Sequence, residues 1–295
     1  MRLFVFTIGL FISLFTYGAS THPVQKETKS DNEPPKIGNF ALPLSQQPGP
    51  LVSFGQNIIE KNETLLFLFA DDFAGVEKHF VDVMPSILYG ITDDLSIFIN
   101  APMAVSYVQN EKKSSGFEDA FLQLEDAFYT KKTSSFVEQA TLVMNLTLPT
   151  GSAQKQPPTG FGSPSFFIGG TLSRMYVDWF AFASPGVVVT TKRNDTKFGN
   201  QFLYQGGFGR HLINIKGWMF AWMVEADGQY SQRNKIDGAI DFNSGGNVVY
   251  ITPSLWVSSK KLILQLGIGL PVTQNLYGNQ TRDSYLLVAN LGWTL

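Results

Sequence analysis

From residue 62 onward, apolar and polar positions alternate with a period of two. In the run Leu95-Ser96-Ile97-Phe98-Ile99-Asn100-Ala101-Pro102-Met103-Ala104-Val105-Ser106-Tyr107 the odd positions are apolar and the even ones mostly small or polar. Successive side chains of a strand point to opposite faces, so this alternation predicts β-structure. Residues 261–272 repeat it, with Leu262, Leu264, Leu266, Ile268, Leu270 and Val272 on one face. Residues 218–230 set Trp218, Phe220, Trp222, Val224, Ala226 and Tyr230 against Glu225, Asp227 and Gln229. About twelve such segments run from 63–70 to 283–295. They are longer than the roughly 5–6 residues usual in globular sheets.

The connections alternate in length. Residues 91–93, 131–134, 175–176, 212–216 and 259–260 are short, whereas 71–78, 109–117, 149–161, 191–198, 232–246 and 273–282 are longer and polar. Tight turns at one end and long loops at the other predict a transmembrane antiparallel up-and-down β-barrel of the bacterial outer membrane. Hydrocarbon cannot satisfy backbone N–H and C=O groups, so a sheet that spans it must close on itself. An even strand number places both ends at the tight-turn side, in the periplasm. A secreted β-sandwich would have shorter strands and a charged outer face.

Composition sharpens this. Only 16% of residues are charged and 14% are aromatic, with 25 Phe, so the surface is poor in charge. The absence of Cys excludes disulfides, Cys-based metal sites and a lipidated N-terminus. A net charge of −2 gives no reason to expect nucleic acid. At the N-terminus, Arg2, the apolar run Leu3–Tyr17 and Gly18-Ala19-Ser20 form a secretory signal over residues 1–20. Residues 21–61 are Pro-rich and polar, without periodicity, and read as a linker or a lumen plug. Residues 62–295 form the barrel.

Aromatic residues mark two expected girdles at the headgroups. Tyr89, Tyr176, Trp179, Trp218, Trp222 and Trp293 belong to the tight-turn side, and Tyr107, Tyr230 and Tyr285 to the long-loop side. Trp256 and Tyr129 face inward unless a bulge intervenes, and Asp126 breaks the outward face of its strand, so a bulge is expected near it. The last strand places Tyr285, Leu287, Ala289, Leu291, Trp293 and Leu295 on one face. It resembles the C-terminal segment that the barrel assembly machinery reads, with Leu295 in place of the usual terminal aromatic.

The segment Tyr89-Gly90-Ile91-Thr92-Asp93-Asp94-Leu95-Ser96 resembles a hairpin of the meta-pathway phenol-degradation family of outer-membrane channel-like proteins. Gly116-Phe117-Glu118-Asp119 and Leu148-Pro149-Thr150-Gly151 resemble the same family's pattern. The resemblance spans about 80–295 and implies passage of small hydrophobic or aromatic compounds across the outer membrane.

Motifs of nucleophilic, metal-assisted and nucleotide chemistry are absent. An embedded lipid hydrolase would need a base beside a nucleophile. Yet none of His22, His79 or His211 has Ser two residues on, which leaves only a partner on a neighbouring strand. No catalytic residue, metal or cofactor is therefore expected. Inward parity assigns Asp82, Phe98, Asn100, Glu125, Gln139, Thr141, Asn145, Glu225, Asp227, Gln229, Gln265 and Asn290 to the lumen. Phe80 and Phe180 join Phe98 there. Twelve strands predict a narrow lumen, and excess carboxylate favours cations. The expected partners are outer-membrane lipid and a small solute. The alternative is a structural or surface-interaction barrel that works through its long loops.

Overall fold

In a computed structural model, which describes residues 33–295, the chain forms a closed antiparallel barrel of twelve strands. In chain order these are β1 (Thr64–Gly75), β2 (Lys78–Gly90), β3 (Leu95–Asn100 and Met103–Gln109), and β4 (Lys112–Phe117 and Phe121–Lys132). Then come β5 (Phe136–Thr147), β6 (Ser165–Tyr176), β7 (Trp179–Thr190) and β8 (Gln201–Ile215). The last four are β9 (Trp218–Ser231), β10 (Gly246–Ser258), β11 (Leu262–Leu276) and β12 (Asp283–Thr294). Each pairs with its chain neighbours, and β1 closes on β12 from Leu65↔Thr294 to Gly75↔Asp283. The barrel therefore has no free edge. The expected signal segment, residues 1–20, and residues 21–32 lie outside the described residues.

Two of the expected long loops are instead strand. β1 continues through Asp71 and Asp72 to Gly75, and the chain reverses at Val76-Glu77, where Glu77 has φ 59°. Likewise 109–117 is a hairpin turning at Asn110-Glu111, with φ 49° and 64°, followed by the first piece of β4. Two consecutive positive φ values define the hairpin turn whose twist matches its strands. The polar residues that resembled loops occupy strand ends beyond the apolar belt, where water reaches both faces. The remaining loops at this end are longer. From two of them, Lys192–Arg193, Thr196–Lys197, Lys235–Ile236 and Ala239–Ile240 assemble a small four-stranded sheet.

Irregularities fall where the sequence cannot continue the ladder. Pro102 lacks an N–H, and β3 breaks there, opposite the interruption at Glu118–Ala120 in β4. In β4 the register shifts between Asp126 and Tyr129, which turns the Tyr129 side chain outward. Trp256 stays inside and donates its indole N–H to Ser258 Oγ at 2.9 Å.

The outer wall is apolar. Leu266 is 63% exposed, and Leu68, Ile99, Val105, Ile168, Leu172, Leu255 and Leu270 share that face. Towards the tight turns it changes character. Arg174 pairs with Glu138 and lies 4.9 Å above the Phe136 ring, and Tyr176 stacks on Trp179 at 4.3 Å. Trp179 in turn neighbours Phe208, which meets Trp222 edge-on. Rings and snorkelling cations of this kind suit a membrane interface.

Candidate functional site: the barrel interior and the segment threaded through it

The interior is occupied by the chain itself. Before entering β1, residues 37–60 pass into the barrel from the tight-turn end, rise to mid-height and return. Near the rim, Asn39 N–H donates to Val177 O (2.8 Å) and its side chain to Tyr176 O (2.9 Å), while Asn214 donates to Gly38 O. Across the mouth, the Gln46 amide faces Thr294 Oγ1 at 2.6 Å, and Ser258 Oγ donates to Gln46 O. Gln265 then donates to Gly49 O at 2.9 Å.

At mid-height three acidic side chains hold the segment, two of them by its backbone. Leu51 N–H and Ser53 N–H donate to Glu225 at 3.0 Å each, and Val52 N–H at 3.3 Å. Ser53 Oγ donates to Asp227 at 2.7 Å, and Thr252 Oγ1 to its other oxygen at 3.2 Å. On the opposite wall Glu125 accepts from Asn57 N–H at 2.9 Å, from the Asn57 side chain, and from Gln123 at 2.7 Å. Glu225 and Glu125 are buried, and charge-assisted bonds of this type are about twice as strong as neutral ones. Ile59 N–H to Ser96 Oγ and Lys61 N–H to Asp93 bring the chain back to the rim.

The wall is cut to admit the segment. A Cβ on Gly169 or Gly186 would lie 2.7 or 2.9 Å from the Phe54 ring, and one on Gly267 would lie 2.6 Å from Leu51. Phe54 meets Phe167 edge-on at 4.5 Å. Gly55, at φ 88°, presses so closely on the wall that a Cβ would reach within 2.3 Å of Thr171 Oγ1. Only glycine combines that backbone with that approach.

Cavities remain beside and above the segment. The inner one, about 300 Å³, lies between the segment and the wall and is lined by Leu51, Ile59, Phe67, Phe69, Phe98 and Trp256 among others. The outer one, about 610 Å³, opens towards the long loops and is lined by Phe73, Phe80, Asp82, Tyr107, Tyr250 and Asp283 among others. Val52, Asp71 and Leu286 border both.

The inward-parity residues therefore divide among several tasks. Glu125, Glu225, Asp227 and Gln265 bind the inserted segment instead of facing an open path. Phe98 packs with Leu65 and Leu88 in the buried cluster beside the inner cavity. Asn290 is buried beside Gln265, and Asn145 contacts Gln123. Asn100 and Thr141 are buried, with side-chain polar atoms that lack a partner among the described residues. Gln139 sits towards the tight turns against Thr130, and Gln229 is at the outer mouth against Ser231. Asp82 borders the outer cavity.

Tyr107 corrects the girdle assignment. The register of β3 slips at Val105 on both sides, so two consecutive residues occupy one position and the parity inverts. Its hydroxyl points inward, 3.4 Å from Asp82 Oδ2. Tyr230 and Trp293 are exposed on the outer wall, as is Tyr89, which bonds Asn62. Trp218 and Tyr285 are partly exposed there. His79 bonds Asp72 at 2.8 Å on the outward face, His211 has a buried Nε2 without a partner among the described residues, and His22 lies outside them.

This architecture is that of an outer-membrane β-barrel. The chain is similar in fold to the COG4313 outer membrane channel from Pseudomonas putida F1, with a TM-score of 0.67 and 13% identity over 84% of this chain and 99% of that one. It is also similar to the NanC porin, with a TM-score of 0.50 and 10% identity over 78% of this chain and 100% of that one. No protein-family model matches the chain. No curated protein matches it either.

Proposed function

We propose that the protein is an outer-membrane channel for small hydrophobic or aromatic molecules, and that residues 37–60 plug its lumen from the periplasmic side. The observation that carries this reading is how the interior is filled. A purely structural barrel of this size can pack its lumen with wall side chains. Here polar wall groups instead bind a separate stretch of backbone, with cavities above and beside it. Hydrogen bonds to a mobile occupant can be exchanged for water at small net cost, whereas a packed core cannot. The solved barrels of similar fold include an outer membrane channel and a porin, which supports the reading. The inner cavity's aromatic and aliphatic lining favours an apolar solute, and a path bounded by Asp71 and Asp82 disfavours anions.

Planar-bilayer conductance tests the proposal. The full chain should show low conductance with brief openings, and the double variant Glu125→Gln, Glu225→Gln should raise the open probability at least tenfold. An equally silent bilayer for the wild type, this variant and a chain lacking residues 38–58 would overturn it. A second reading draws on Ile236, Ile240 and Phe242, all exposed on the long-loop side around the small sheet. Surface interaction through the loops would then be the function, and loop deletion would abolish a phenotype with permeability unchanged.

A further inference from the structure

We propose that the outer cavity binds a small organic cation, an ammonium group carried on an aromatic or alkyl body. The inference rests on the channel reading in taking this cavity as the solute's entrance, and it narrows the solute class. Asp71 and Asp82 stand directly opposite each other across β1 and β2, both turned inward. Like charges in that position repel. Beside them the Tyr107 hydroxyl donates to Asp82 Oδ2 at 3.4 Å. Asp71 Oδ1 is buried without a hydrogen-bond partner among the described residues. Two facing carboxylates thus line one wall, and no Lys, Arg or His among the described residues forms an ion pair with either.

The cavity's own cation is committed elsewhere, and its surroundings indicate the chemistry the site suits. Lys78 forms an ion pair with Asp283, donates to Thr281 O at 3.1 Å, and lies 5.3 Å over the Phe73 ring. An ammonium held between a carboxylate and an aromatic face is therefore already present a few residues away. The wall next to Asp71 and Asp82 repeats those components. Phe73 stacks on Phe80 at 5.8 Å, and Phe80 meets Tyr107 at 4.8 Å, which makes a continuous aromatic surface beside the acids. Rings attract cations through their quadrupole, most strongly where water is scarce. An inorganic ion fits less well, because among the described residues no three acid or histidine side chains converge at metal-ligand spacing. A volume of about 610 Å³ lies within the range of small-molecule sites.

Phenethylamine, protonated at neutral pH, is the probe, with 2-phenylethanol and 3-phenylpropionate as its neutral and anionic counterparts. Binding is measured by titration calorimetry on the full chain refolded in detergent micelles at low salt. The ammonium probe should bind at least tenfold more tightly than the alcohol, with no heat from the carboxylate. Asp71→Asn and Asp82→Asn should each weaken it at least tenfold, while Asp178→Asn, in a tight turn at the other end, leaves it unchanged. Each variant is first shown to keep the mobility difference between unboiled and boiled samples, so that loss of binding is not loss of the barrel. Equal affinity for all three probes, no binding by the wild type, or undiminished binding by both Asp variants would overturn the site. Conductance on the same preparation separates the two readings. Failed binding with normal conductance removes only the cation site, and tight binding without conductance removes only the channel.

Discussion

Glu225 carries more of the inserted segment than any other single side chain described above. It accepts three consecutive backbone N–H groups, from Leu51, Val52 and Ser53, in a buried setting. Truncation to Ala would leave those donors without a partner, at about 1–3 kcal/mol for each group left buried and unsatisfied. Glu225→Ala should therefore release the segment. Limited proteolysis with thermolysin should then cut within residues 49–57 at least tenfold faster than in the wild type, while the barrel keeps its resistance to boiling-dependent unfolding. Glu225→Gln, which retains an acceptor oxygen, should fall between the two. Gly55→Ala should act in the same direction for a different reason, since its Cβ meets Thr171 and its backbone sits at φ 88°. A cleavage rate unchanged in both Glu225→Ala and Gly55→Ala would show that neither residue holds the segment in place.

The strands are the elements most exposed to their environment, and their two faces obey opposite rules. Leu266 points out to lipid and Gln265 points in to Gly49. Leu266→Arg should cost about 2–4 kcal/mol if it lies near the midplane, with less at the interfaces. Urea titration of the protein folded in lipid vesicles measures this, and a cost below that of the same change at Lys260, in a tight turn, would contradict the assigned face. This alternation was legible in the sequence, because one buried or lipid-facing surface imposes a period of two on every strand. Bulges were legible only as disturbances. Asp126 on a greasy face signalled the slip before Tyr129, but nothing in Val105-Ser106-Tyr107 breaks the pattern strongly enough to reveal the inversion that turns Tyr107 inward. The strands ending at Gly75 and starting at Lys112 escaped notice because, outside the apolar belt, a strand has no hydrophobic face to betray it. Residues 37–60 were harder still. Many of their contacts are made by backbone N–H and C=O groups, which are the same for almost every residue type. A signal did exist on the wall, in the unpaired mid-strand acids Glu125 and Glu225 and the inward glycines Gly169, Gly186 and Gly267, which together leave room and acceptors for something absent from the strands.

At the largest scale, residues 33–295 form a lipid-facing cylinder whose bore is filled by residues 37–60, with an acidic and aromatic chamber above. The anchors at Val177, Thr294 and Ser96 lie around the rim, and the carboxylates grip the apex, so removal of the apex contacts opens the bore without unravelling the wall. Because the chain has no Cys, a designed disulfide is unambiguous. Ser53 and Asp227 touch at 2.7 Å across the lumen. The double variant Ser53→Cys, Asp227→Cys fixes the apex to β9 when oxidised and, lacking the native bond, loosens it when reduced. Single-channel recording of this variant before and after addition of a reductant is the most direct measurement. A silent oxidised channel that opens on reduction, and closes again on reoxidation, is the predicted result. Conductance that is the same in both states, with the disulfide shown to be formed, would contradict a lumen governed by residues 37–60.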